Sequence, residues 1–158
     1  MLSRRAAAHT ARDPRPEIAG RDDIDTVVRS FYARALADEL LFTYFLELRF
    51  GELEQYIPKM CDFWDATLFK TPSYREDPLH VHLHLNALYP LQSKHFERWI
   101  ELWIATIDAQ FAGPVAARAK KVAAQMACAL QERIVGIRSP QLEKLLHSLP
   151  AEDDTPRQ

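Results

Sequence analysis

The sequence predicts an all-α domain, and three observations carry that expectation. Apolar residues recur at three-and-four spacing almost throughout residues 18–148, the period of an amphipathic helix. Only four residues are glycine, too few for turn-rich all-β architectures. At 158 residues, with 47% apolar and 27% charged, the chain has the size and composition of one ordinary globular domain with a real core.

The elements follow in order. Ile24, Val27, Val28, Phe31, Tyr32 and Ala35 share one helical face, with Asp22 or Asp23 as the expected cap. A shorter segment, "ELLFTYFLEL", comes next. Leu53, Ile57, Met60, Trp64 and Leu68 mark a helix with Phe63 and Phe69 beside the stripe, and Pro58 near its first turns. After the loop "KTPSYREDP" and the break "NALYPLQ", Ser93 is the expected cap of the clearest helix. Its stripe is Phe96, Trp99, Ile100, Trp103, Ile104, Ile107 and Phe111. Gly113 then fits a C′ position and Pro114 the N1 position of the next helix. That helix carries Val115, Ala119, Val122, Ala123, Met126, Leu130 and Ile134. Two long helices joined by so few residues lie antiparallel. "QLEKLLHSL" makes a last short helix.

Several function classes are disfavoured. The net charge of −2 offers no basic surface for nucleic acid or an anionic membrane. No apolar run is long enough to span a bilayer, and "MLSRRAAAHTARDPRP" lacks the apolar core of a secretory signal. Residues 1–17 are expected to be a disordered leader, 18–148 the domain, and 149–158 a disordered tail. Cys61 and Cys128 show no metal or redox spacing and are expected to be buried free thiols, which suits a cytoplasmic protein.

The stretch "DPLHVHLHL" holds three of the chain's six histidines, His80, His82 and His84. On a strand all three would share one face, a candidate zinc site. On a helix, at about 100° per residue, His82 lies about 60° from both Leu79 and Leu85, with His80 and His84 on the far side. Pro78 suits a helix's first turn, and a lone strand would have no partner in a helical chain, so the helical option is preferred. His82 then stands on an apolar face, either as a core histidine bonded to a carbonyl or as an axial ligand to a heme iron. A cofactor-free helical interaction module remains a third class.

"RDDIDTVVRSFYARALADELLFTYF", "YIPKMCDFWDATLF", "DPLHVHLHL" and "HFERWIELW", in this order and spacing, resemble the globin family, specifically the group III truncated hemoglobins, over about residues 18–136. The resemblance implies a globin-like two-over-two helical sandwich around a heme pocket, with heme b as cofactor. His82 matches the proximal iron ligand. Tyr32 matches the distal tyrosine that donates to the bound ligand, and Trp103 the tryptophan lining the distal pocket. Phe45 matches the phenylalanine on the heme face, and Trp64 a buried tryptophan of the distal helix. Phe63, Leu79 and Trp99 join the expected heme contacts, with Lys59 and Arg75 as candidates for a propionate. Tyr56 stands where many members place a distal histidine, which puts two tyrosines near the sixth position. The implied partners are dioxygen, nitric oxide or a similar small ligand. Nitric-oxide or peroxide detoxification would also need a reductase, and the sequence does not decide between enzyme and carrier.

Overall fold

The computed structural model describes residues 12–47, 53–72, 74, 83, 86, 87 and 89–150. Six helices are found among them: α1 (Arg21–Ala37), α2 (Phe42–Glu47), α3 (Leu53–Phe69), α4 (Ser93–Asp108), α5 (Pro114–Val135) and α6 (Pro140–Ser148). The fold is all-α and globin-like. It is built from two helix pairs, α1 with α3 and α4 with α5, that meet through α1 against α4 and α3 against α5. Contacts between residues 93 and 131 and between 103 and 119 run in opposite chain directions, so α4 and α5 are antiparallel as expected.

All six apolar residues of the α1 stripe are buried. The cap differs from expectation. Gly20 occupies the N-cap without a side-chain bond, and the Asp23 carboxylate reaches back to accept the Ala19 N–H at 2.8 Å. At α4 the N-cap is Gln92 rather than Ser93. His95, three residues on, closes the box, its Nδ1 accepting the Gln92 N–H at 2.9 Å. The helix ends at Asp108, so Phe111 packs from the turn beyond it, buried, with its N–H on the Ile107 carbonyl.

Gly113 is the N-cap of α5, not the C′ residue of α4, and Pro114 takes N1 as expected. The buried face of α5 also differs. Ala116, Ala119, Ala123, Ala124, Ala127 and Cys128 are fully enclosed, while Val115, Val122, Met126 and Ile134 are only partly buried. Ala119, Ala123 and Leu130 of the expected stripe are buried, and the rest of the enclosed face is mostly small residues, which close helix packing accommodates.

Residues 12–17, at the end of the expected leader, are described and touch the domain. The Pro16 carbonyl accepts the Ala112 N–H, and the Arg15 guanidinium donates to the Asp108 carbonyl. The Glu17 carboxylate accepts the first-turn N–H groups of Val115 and Ala116 at 3.1 and 2.9 Å. An anion at a helix N-terminus satisfies orphan donors and meets the positive end of the dipole. Ile18 then buries beside it. Residues 1–11 and 151–158 lie outside the described residues.

Candidate functional site

Aromatic side chains from three helices converge on Phe31. Its ring meets Tyr32, Phe45, Trp99 and Trp103 edge to face, with centroids 5.8, 6.3, 6.1 and 5.5 Å away. Tyr32 also meets Phe45 at 5.6 Å. The turn of α1 that carries Phe31 and Tyr32 thus brings α2 and α4 into one aromatic wall. On the far side of Trp103, the indole of Trp64 stacks on it at 4.6 Å, and Phe63 joins Trp64 to Tyr74.

Tyr32 is the polar feature of this wall. It is only 7% exposed, and among the described residues none hydrogen-bonds its hydroxyl. No buried side-chain nitrogen or oxygen among those residues lacks a partner, so the Tyr32 hydroxyl opens onto accessible space. Burial, with smaller contributions from Cys61 and Tyr56, pushes its pKa well above the usual phenol value. The phenol is therefore neutral and able to donate at any ordinary pH.

The other expected distal residues are placed differently. Trp103 is buried in the wall, but its indole N–H is engaged, donating to the Ala119 carbonyl at 3.2 Å. Tyr56 is 36% exposed at the start of α3, and the Lys59 ammonium stands 5.8 Å from its ring centroid, so these two form a pair at the rim. Phe45, Phe63 and Trp99 are half-buried against the core. His80, His82, His84, Arg75 and Leu79 lie outside the described residues. Of their stretch, Leu83, Asn86 and Ala87 are described, and all three are helical.

Both cysteines are buried free thiols. Cys61 donates weakly to Asp25 at 3.9 Å, and burial followed by the Asp25 charge pushes its pKa up to about 11. A thiol held in that state is a poor nucleophile. Among the described residues no cluster of three or more metal-binding side chains occurs, and no helix is long and apolar enough to cross a membrane.

Two residues that the sequence did not single out fasten the chain around "NALYPL". The Tyr44 hydroxyl donates to the Pro90 carbonyl at 2.9 Å and lies 3.4 Å from His95 Nε2. With Nδ1 of His95 accepting a backbone N–H, its proton must sit on Nε2 and point to Tyr44. Asn86 closes the same turn by accepting the Leu91 N–H at 2.9 Å. No local pattern signals a bond between positions 51 residues apart.

Among solved structures, the chain is similar to a group III truncated hemoglobin from Campylobacter jejuni. The TM-score is 0.68 at 21% sequence identity, with 76% of this chain and 94% of that chain covered. No protein-family model and no curated protein sequence matches the chain. The likeness establishes the fold.

Proposed function

We propose that this chain, from the docked arm at residue 12 to about residue 148, is a heme b protein that binds dioxygen, nitric oxide or a similar small ligand. The observation that carries the reading is the Tyr32 hydroxyl: a neutral donor on a buried residue, without a partner among the described residues, set in a wall of aromatic rings. The hydroxyl makes no hydrogen bond to a described residue and faces accessible space, so it can donate to a small group that enters there. The truncated-hemoglobin fold supports the same reading.

The residues present fit the group. Phe45, Trp99 and Phe31 offer an apolar surface for a flat macrocycle, and Lys59 at the rim suits a propionate. His82 would hold the iron, and a carbonyl or carboxylate accepting from its other ring nitrogen would fix the tautomer. Heme, when bound, supplies reversible ligand binding and redox chemistry. Tyr32 supplies a hydrogen bond to the partly negative ligand, worth roughly 1.5–3 kcal/mol in so dry a setting. Trp103, its N–H occupied by Ala119, contributes shape rather than a donor.

Changing the axial side tests the assignment. His82→Ala should abolish the axial-nitrogen signature in the electron paramagnetic resonance (EPR) spectrum of the hemin-loaded protein, while His84→Ala keeps it. The opposite pattern would move the ligand to His84. Stoichiometric zinc with no visible chromophore would favour the three-histidine site instead.

A further inference from the structure

A ligand pocket needs aromatic walls, but it does not need two indoles laid face to face. Trp64 and Trp103 are 4% and 3% exposed, their centroids 4.6 Å apart and their planes 16° from parallel. The nine other ring pairs described, Tyr44 with His95 included, are edge-on. Ring quadrupoles favour edge-on and offset-stacked pairs alike, and the near-parallel planes at 4.6 Å are the offset stack. A parallel stack has a different property: when one ring loses an electron, the positive charge spreads over both.

The surroundings suit such a charge. Trp103 Nε1–H donates to the Ala119 carbonyl, which sets the negative end of a peptide dipole against the ring. A carbonyl is not a base, so an oxidised indole there keeps its proton. Tyr32 differs in this respect. A phenol gives up an electron readily only when its proton leaves too, and none of the described residues stands ready to take it. Phe31 separates Tyr32 from Trp103, touching both.

We propose that the Trp64–Trp103 stack is a one-electron donor that discharges oxidants formed when hydrogen peroxide enters the pocket. The proposal rests on the heme reading. Peroxide takes two electrons and two solvent protons to become two waters. The stack supplies one of these electrons, leaving a cation radical shared by two indoles with no N–H bond broken, and the other would come from a bound heme. Two one-electron transfers from a small reductant of the ascorbate class then restore both.

The test is freeze-quench EPR of the hemin-loaded full chain mixed with hydrogen peroxide, prepared with ring-deuterated tryptophan and separately with ring-deuterated tyrosine. The expected radical narrows only with deuterated tryptophan, and its ring couplings are roughly half those of an isolated indole. Trp64→Phe should restore full couplings on Trp103 and speed heme bleaching by peroxide several-fold. A radical that narrows with deuterated tyrosine, or wild-type couplings equal to those of Trp64→Phe, would overturn the proposal while the Soret band kept the heme reading intact. A chain that takes up no hemin would remove both. The isotope labelling is read on wild-type protein, so it stands even if a variant fails to fold.

Discussion

Two of the long-helix contacts of this protein are built on opposite principles. Where α1 meets α4, Phe31, Tyr32, Trp99 and Trp103 fill space with large rings, and one hydroxyl has no hydrogen-bond partner among the described residues. Where α5 meets α4, the enclosed residues are mostly alanine, and the polar groups are fully answered. Buried Gln131 accepts the Ser139 N–H at 2.7 Å and donates to Ser139 Oγ at 3.2 Å, while Ser139 caps α6. Glu17 closes the other end of that seam. A contact with every donor met is organised for stability. A contact with a donor held open is organised for something that arrives later.

Substitutions on the two sides should therefore separate affinity from stability. The largest expected effect is at Tyr32. Tyr32→Phe should speed dioxygen release from the ferrous protein roughly tenfold to a hundredfold, matching the lost 1.5–3 kcal/mol, and leave unfolding nearly neutral because no hydrogen bond to a described residue is broken. Stopped-flow ligand replacement and urea unfolding check the two halves. If Tyr56→Phe alone carried the kinetic effect, the donor would be the rim tyrosine.

On the seam the pattern reverses. Ala123 is fully buried and lies between Ala119 and Gln131, both of which reach α4. Ala123→Leu should cost about 1–3 kcal/mol of stability by overpacking, with dioxygen release unchanged in the folded fraction. Removing the distant cap with Glu17→Ala should cost about 1 kcal/mol, seen as a lower urea midpoint at constant slope. Equal stability in that variant would show that the arm at residues 12–17 does not hold α5.

The smallest effect is one of pH. Burial, then the nearby Lys94, depresses the His95 pKa below the usual 6.5, with the Gln92 bond opposing. The unfolded chain then binds a proton before the folded one, so this contribution is complete above pH 6.5 and is lost as pH falls below it. His95→Asn, which keeps an acceptor for the Gln92 N–H, should flatten the slope of stability against pH in that window. An unchanged slope would exclude His95 as its source.

How much of this was legible depended on what each element buries. The α1 face could be read residue by residue because every buried position carries a large apolar side chain or an alanine on the same stripe. The α5 face could be read only in part: Ala119, Ala123 and Leu130 of the expected stripe are buried, but Ala116, Ala124 and Ala127 were not picked out because a small residue gives little signal in an apolar pattern. The cap of α5 was out of reach for a different reason: its carboxylate comes from nearly a hundred positions away, and no spacing rule links Glu17 to Ala116. Within the site, the sequence pointed to Tyr32 and the aromatic wall but not to the engagement of the Trp103 N–H, which depends on how closely Ala119 approaches.

The most direct measurement is titration of the apoprotein with hemin, followed at the Soret band. The account predicts a sharp band that saturates at one equivalent. A flat response, with no band above that of free hemin, would contradict it and leave the open hydroxyl of Tyr32 without its proposed purpose.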